Sequence, residues 1–195
     1  MFLFAHGAGA PMDSDWMNGI TKKLKQKGLF IKRFEFPYMA ERRRSGKKRP
    51  PDRQPVLLEA WKSVIAEHRS YKKIFVGGKS MGGRMASLIA DEMQVSGLIV
   101  LGFPFHAPGK EPGERIEHLK SLKTPTLILQ GERDSMGSKQ DIQGYSLSHK
   151  IRVSFLEDGD HSFKPRKKSG FSQEDHMETA ATKIFDFIYK EYCLK

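Results

Sequence analysis

The sequence predicts an α/β fold built on an open, doubly wound and mostly parallel six-stranded sheet with helices on both faces. Short apolar runs alternate along the chain with amphipathic stretches, which is typical of strand–helix–strand units and a parallel sheet. The chain has 195 residues, of which 38% are hydrophobic and 29% are charged. These values fit a single domain over residues 1–195 that needs no disulfide or metal to fold.

The alternation of apolar and amphipathic segments places six strands and six helices. With the strand order 2-1-3-4-5-6, the chain reverses direction beside strands 1 and 3, and ligands bind at the carboxyl ends of the strands at such a reversal. The predicted strands are Phe2–Ala5, Phe30–Phe36, Lys73–Gly77, Gly97–Gly102, Thr126–Gln130 and Arg152–Leu156. The predicted helices are Ser14–Lys27, Pro55–His68, Met81–Met93, Glu114–Leu122, Ser138–Ser146 and Gln173–Tyr192.

Residues 78–82 read Gly-Lys-Ser-Met-Gly and match the pattern G-x-S-x-G directly after the third predicted strand. In such a turn, side chains two residues before and after the serine would clash, and the serine hydroxyl projects above the sheet at the positive end of a helix. The alternative is a phosphate-binding loop or a plain tight turn, but the lysine and the serine or threonine of the phosphate-binding motif are not in the required order. We therefore predict that Ser80 is a nucleophile.

Residues 6–11 read His-Gly-Ala-Gly-Ala-Pro and follow the first predicted strand. A turn of this kind aims a backbone N–H at the oxyanion that forms on the attacked carbonyl. The first donor is Ala8 or Gly9, which the sequence does not separate, and the second is Met81. We expect His6 to brace the loop by hydrogen bonding.

A serine nucleophile needs a base, and the base needs an acid that orients it. The expected chain order is serine, acid, histidine. Asp134 lies in the loop after the fifth predicted strand, and His161 directly follows the sixth. His149 precedes that strand and His176 begins a helix, so neither fits as well. The competing carboxylates are Asp141, Asp158 and Asp160.

Four segments, residues 6–11, 78–84, 102–110 and 159–166, carry a resemblance to the α/β-hydrolase superfamily. They are most similar to its small lidless branch, which contains testis-expressed protein 30 and a non-catalytic subunit of a histone-acetyltransferase complex. Dienelactone-hydrolase-like enzymes are more distant relatives. The resemblance extends over essentially the whole chain. It implies a minimal α/β-hydrolase fold with a small open site, and it also implies that some members of the branch have non-enzymatic roles.

Aromatic residues follow two of the strands that lead to the predicted site. Phe103, Phe105 and His106 come after the fourth strand, and we expect them either to line the substrate pocket or to fold their loop onto the core. Trp16 and Met12 follow the first loop and are candidates for the opposite wall, although core packing is favoured for both.

The formal net charge is +11, and the basic residues are clustered. Seven of them lie within residues 42–53 and four within residues 164–168. Both clusters follow strands at the predicted active edge, and a cleft lined by one sign of charge attracts the opposite sign. An anionic group on the substrate is therefore expected, while a solvated basic loop is the alternative. The residues expected to bind the anionic group are Arg42, Arg43 and Arg44.

The leading functional hypothesis is a serine hydrolase that acts on a small ester or thioester through an acyl-enzyme. The second is a non-catalytic basic module that binds an acidic protein or nucleic acid, but the chain has no recognisable nucleic-acid motif. No cofactor is expected, and no metal site either, because His and Asp lack ligand spacing. The lone Cys193 and the lack of a membrane-length apolar stretch predict a cytoplasmic protein that does not bind membranes.

Overall fold

In a computed structural model that describes residues 1–110 and 113–193, six strands form one sheet in the order β2-β1-β3-β4-β5-β6. Each of the five neighbouring pairs is parallel. The structure confirms the predicted fold class and strand order, so the chain reverses direction beside β1 and β3. The strands are β1 Phe2–Ala5, β2 Ile31–Phe34, β3 Phe75–Lys79, β4 Gly97–Leu101, β5 Thr126–Gly131 and β6 Ile151–Leu156.

The described residues form six α-helices, of which five lie between strands and the last follows β6, together with short 3₁₀ turns. Five of the six predicted helices have an α-helix at their place, and two of these five are shorter than expected. The α-helices are α1 Asp15–Gln26, α2 Pro37–Ser45, α3 Gln54–Glu67, α4 Met81–Ile89, α5 Lys139–Gln143 and α6 Gln173–Cys193. The 3₁₀ turns are Gly113–Arg115, Glu117–Lys120 and Lys167–Ser169. Among the described residues, no helix is both long and apolar enough to span a bilayer.

Helix α2 was not predicted, because its arginine-rich sequence shows no apolar periodicity. Pro37 occupies its first turn, where a missing N–H costs nothing, and Gly46 ends it in the left-handed conformation with a φ of 69°. Tyr38 and Met39 are its buried residues. Two side chains therefore anchor a helix whose last turn carries three arginines.

The prediction of an α-helix over Glu114–Leu122 is wrong. The structure has two short 3₁₀ turns over most of this segment, and the side chain of Glu114 lies outside what it describes. Ile116, Leu119 and Leu122 are buried and lie three residues apart. That spacing matches the three residues per turn of a 3₁₀-helix, so the apolar positions stay on one face without an α-helical turn.

The sheet is covered by apolar clusters on both faces. Leu3, Val76 and Val100 point to the face that packs against Trp61 of α3 and its neighbours. Phe4, Ile99 and Leu129 point to the opposite face, which packs against α1 and α6. Because both faces are buried, the carboxyl edge and the loops that leave it are where a site can open to solvent.

Candidate active site

Ser80 stands between β3 and α4 in a strained backbone conformation, with φ 49° and ψ −118°. Glycine is required on both sides of it. A Cβ on Gly78 would lie 2.7 Å from the carbonyl oxygen of Ala5, and a Cβ on Gly82 would clash with the carbonyl of His6. Both glycines thus let the turn approach β1 closely, as the pattern predicts. Strain of this kind persists where the surrounding fold enforces it, as in active sites.

Ser80, His161 and Asp134 form a continuous hydrogen-bonded line. The Nε2 atom of His161 lies 2.9 Å from Ser80 Oγ, and its Nδ1 atom lies 2.7 Å from Asp134 Oδ2. The Asp134 side chain is fully buried, whereas 27% of the His161 side chain is exposed. The structure therefore brings together the three residues that the sequence singled out, in the geometry of a nucleophile, a base and an orienting acid.

The buried carboxylate of Asp134 is held by two further donors. The backbone N–H of Met136 donates to Oδ1 at 2.8 Å, and the Gln130 side-chain amide donates to Oδ2 at 2.8 Å. Gln130 is itself buried at the end of β5. These bonds fix the carboxylate so that Oδ2 faces the imidazole. Sequence reasoning missed Gln130, because a glutamine inside a strand carries no signal of its role.

The competing carboxylates have other partners. Asp158 binds the guanidinium of Arg166, and this hydrogen bond, with burial opposing it, holds the pKa of Asp158 at about 2. Asp160 accepts the backbone N–H groups of Ser162 and Lys164 and so shapes the loop that carries His161. Asp141 caps α5 by accepting hydrogen bonds from Ser138. None of these contacts orients the imidazole of His161.

His6 braces the loop after β1, as expected. Its imidazole is fully buried, with Nε2 accepting the N–H of Phe36 at 3.1 Å and Nδ1 2.7 Å from the carbonyl of Gly7. This pattern needs the neutral ring, and burial lowers the pKa of His6. The hydroxyl of Tyr38 donates to the carbonyl of Ala8 at 2.9 Å. The loop is therefore fixed by Phe36, which lies between β2 and α2, and by Tyr38 of α2.

A cavity of about 390 Å³ opens directly over Ser80 and His161. Ala8 and Gly9 line one side of it, and Met81 is the first residue of α4, directly behind the serine. The remaining lining residues include Trp16, Lys79 and Met136. Trp16 therefore lines the cavity and also packs against the core, as favoured from sequence, with its ring centroid 5.6 Å from that of Phe163. Met136 was not anticipated. Met12 does not line this cavity.

Comparison with known proteins assigns the family. A family model described as an alpha/beta hydrolase domain matches residues 1–189 of the chain. The chain belongs to the α/β-hydrolase family. Because the match runs from β1 to within α6, it takes in every strand and loop that builds the site.

Solved structures of several hydrolases share the fold. Est1E from Butyrivibrio proteoclasticus superposes with a TM-score of 0.73 at 12% identity, covering 98% of this chain and 87% of that one. An α/β serine hydrolase without a lid from Xanthomonas campestris gives 0.69 at 14% identity over 97% and 81%. A monoacylglycerol lipase from Paleococcus ferrophilus gives 0.69 at 13% identity over 95% and 94%. At these identities the likeness shows the fold.

The loop after β4 does not reach the cavity of this α/β-hydrolase. Phe103 and Phe105 are fully buried, with ring centroids 4.7 Å apart, and Phe105 also packs on Tyr145. His106 lies outside the cavity as well, where Nδ1 lies 2.9 Å from the carbonyl of Ala107 and Nε2 lies 3.5 Å from the Asp141 carboxylate. The prediction that these three residues line the pocket is therefore wrong, because burying two aromatic rings stabilises the loop more than exposing them.

The three arginines expected to bind an anion are placed on α2 with different partners. Arg43 forms ion pairs with Asp13 and Glu35, and Arg44 pairs with Glu41. Arg42 has no ion pair among the described residues. It lines a second cavity of about 340 Å³ together with Pro11, Lys47 and Lys48. Two of the three predicted anion ligands are thus neutralised by carboxylates within the fold.

Among the described residues, Lys79 is the one lysine or arginine in the wall of the cavity over Ser80. Its ammonium donates to the main-chain carbonyl of His161 at 2.7 Å and lies 5.6 Å from the centroid of the Trp16 ring. Burial lowers the pKa of Lys79 to about 8. No group of three or more potential metal ligands was found within the described residues.

Proposed function

We propose that this α/β-hydrolase cleaves small esters or thioesters through an acyl-enzyme on Ser80. The observation that carries the proposal is the hydrogen-bonded line from Ser80 Oγ through the imidazole of His161 to Asp134. The strained turn at Ser80 and the open cavity above it support the same reading. We also propose a cytoplasmic enzyme, because its single cysteine suits a reducing compartment.

The geometry supports a two-step mechanism. Ser80 Oγ attacks the carbonyl carbon of the substrate while His161 Nε2 takes the hydroxyl proton. As the tetrahedral intermediate collapses, His161 returns that proton to the departing alcohol or thiol, and the acyl group stays on Ser80. Water, activated by the same imidazole, then releases the acid. Asp134 holds the Nδ1–H of His161 and stabilises the imidazolium that forms in each step.

Backbone N–H groups supply the oxyanion site in this proposal. Met81 follows Ser80 at the start of α4, and Ala8 or Gly9 lies across the cavity on the loop after β1. Each preorganised donor of this kind contributes about 3–4 kcal/mol to the transition state. Because Tyr38 holds the carbonyl of Ala8, the loop is fixed before substrate binds.

A panel of p-nitrophenyl esters with acetate, butyrate and octanoate groups tests the activity and the size of the pocket. We expect turnover of the short esters, a loss of at least 10⁴-fold in kcat for Ser80→Ala, and poor turnover of octanoate because the cavity is small. Ser63→Ala, an exposed serine on α3, is the matched control and keeps wild-type kcat. Equal turnover by Ser80→Ala would refute the assignment of the nucleophile.

We propose further that the substrate carries an anionic group, which Arg42 binds. Ala10 lines the cavity over Ser80, and the next residue, Pro11, lines the basic cavity, so the two cavities adjoin along one loop. Arg42, Lys47 and Lys48 line the basic cavity without ion pairs among the described residues. A guanidinium binds carboxylate or phosphate oxygens in pairs, which suits this placement.

The test compares Arg42→Ser on a neutral and an anionic ester. With p-nitrophenyl acetate, kcat/KM stays within about threefold of the wild-type value. With an ester that bears a carboxylate or phosphate, kcat/KM falls at least tenfold, and the loss is larger at low salt. Arg44→Ser serves as the control, because the guanidinium of Arg44 already pairs with Glu41. It leaves kcat/KM unchanged for both esters. An equal response of both esters to Arg42→Ser would assign the basic surface to another role, such as docking an acidic protein or nucleic acid.

A further inference from the structure

The loop that carries His161 is fastened by side chains from three separate elements. The ammonium of Lys79, at the end of β3, donates to the main-chain carbonyl of His161 at 2.7 Å. The next carbonyl along the chain, that of Ser162, accepts hydrogen bonds from the indole of Trp16 at 3.0 Å and the amide of Gln173 at 2.7 Å. Two successive carbonyls beside the imidazole are thus held from outside the loop.

A lysine at this position is energetically unfavourable, because its ammonium is desolvated without a carboxylate partner. Its ammonium forms no ion pair among the described residues, and a Cβ on Gly102 would lie only 3.0 Å from Nζ. The acidic side chains of Asp134 and Asp160 act on it through space, and desolvation outweighs their field. Lys79 is half-buried, and a partly desolvated cation without a hydrogen-bonded carboxylate does little to raise the free energy of unfolding. Stability alone therefore does not explain a lysine at this position.

We propose that Lys79 is a positioning residue that acts through His161. The inference rests on the proposed function of Ser80. A charge-assisted hydrogen bond to the His161 carbonyl fixes the backbone from which the imidazole extends. That ring must keep Nε2 on Ser80 and Nδ1 on Asp134 at the same time, so a small shift of the loop breaks one of the two contacts. The Trp16 ring lies over the ammonium and holds the next carbonyl.

Replacing the lysine by methionine separates this role from structural support and from substrate binding. Lys79→Met keeps an unbranched side chain of similar length but removes the charge and the donor. We expect kcat for p-nitrophenyl acetate to fall about 30- to 100-fold with KM within threefold of wild type, the size of loss that a misplacement of about 1 Å produces. The melting temperature stays equal to or above that of wild type, because a partly desolvated charge is gone.

Lys183→Met is the matched control, since Lys183 is an exposed lysine on α6 with no contact to the site. It keeps wild-type kcat and KM. Trp16→Phe is a second variant that keeps an aromatic ring over Lys79 but loses the donor to Ser162. We expect its kcat to fall by about three- to tenfold by the same loss of positioning.

Proton NMR gives a readout that does not depend on turnover. The Nδ1–H proton between His161 and Asp134 gives a resonance far downfield of the amides, and His161→Ala assigns it by loss. We expect Lys79→Met to broaden this resonance through faster exchange with water. If wild type hydrolyses no ester but shows this change, the proposed function fails while the positioning role stands. An unchanged resonance with kcat within twofold, or a KM at least tenfold higher at unchanged kcat, would overturn the proposal.

Discussion

Two loops leave the carboxyl edge of the sheet near Ser80 and behave in opposite ways. The loop after β1, residues 6–14, consists largely of small residues, and its exposed Ala8, Gly9 and Ala10 face the cavity. The loop after β4, residues 102–110, carries Phe103 and Phe105, which are fully buried. Both loops leave the carboxyl edge of the sheet, so both were candidates to line the pocket. The loop with small side chains lines the cavity, whereas the loop with large aromatic side chains packs into the core.

The loop after β4 nevertheless supports the candidate site through the side chain of Gln130. The Gln130 side chain accepts the N–H of Phe103 at 2.8 Å, and its amide donates to the carbonyls of Phe103 and Gly137 and to the carboxylate of Asp134. The loop after β4 and the proposed acid therefore share one buried amide. The comparison teaches that a loop can support a candidate site by helping to fix the proposed acid without lining the cavity.

The largest expected effect concerns the acid at the end of this network. Asp134→Asn removes the charge that stabilises the His161 imidazolium, and kcat falls by about 10⁴. Asp160→Asn is the matched control, because among the described residues the Asp160 side chain accepts hydrogen bonds from backbone N–H groups of its own loop and not from His161. Its kcat falls less than tenfold. Steady-state kinetics on p-nitrophenyl acetate give both values, and the reverse ranking would transfer the orienting role to Asp160.

The next effect separates stability from activity in the buried loop. Phe105→Ala leaves a cavity in the core and lowers the free energy of unfolding by about 3–5 kcal/mol, while kcat/KM for p-nitrophenyl acetate stays within about threefold below the transition. Urea unfolding and kinetics on the same preparation measure the two quantities. A pocket role for Phe105 would instead show as a change in the preference between acetate and butyrate esters.

The smallest expected effect on stability is at the loop after β1. Ala10→Leu adds an exposed side chain at the rim of the cavity, so the free energy of unfolding changes by about 0.5 kcal/mol or less. The ratio of kcat/KM for butyrate to that for acetate falls about tenfold, because the larger rim excludes the longer acyl chain. If Ala10→Leu and Phe105→Ala gave the same pattern, the distinction between the two loops would be wrong.

Sequence reasoning succeeded where local chemistry dictates structure. The alternation of segments is enough to predict the sheet, and the glycines at positions 78 and 82 are required by a turn that places Ser80 against β1. The placement of Asp134 and His161 near Ser80 follows from their positions after β5 and β6, at the same edge of the sheet. Helix α2 could not be predicted from apolar periodicity, because Tyr38 and Met39 are its only buried residues among nine.

Tertiary contacts explain what the sequence left open. The sequence shows that a loop residue is aromatic but not which way its ring points. The burial of Phe103 depends on tertiary packing, here against Phe105 and His118. The bond from Lys79 to the carbonyl of His161 joins residues 82 positions apart. The pairing of Arg43 with Asp13 and Glu35 likewise depends on how α2 lies against the first loop.

The central claim is that Ser80 is an activated nucleophile, and labelling with a fluorophosphonate probe tests it most directly. The probe should modify wild-type protein at one residue, and mass mapping should place the adduct on the peptide that contains Ser80. Ser80→Ala should take up no label, and His161→Ala should react far more slowly. Labelling of Ser80→Ala at the wild-type rate, or an adduct on another residue, would contradict the account.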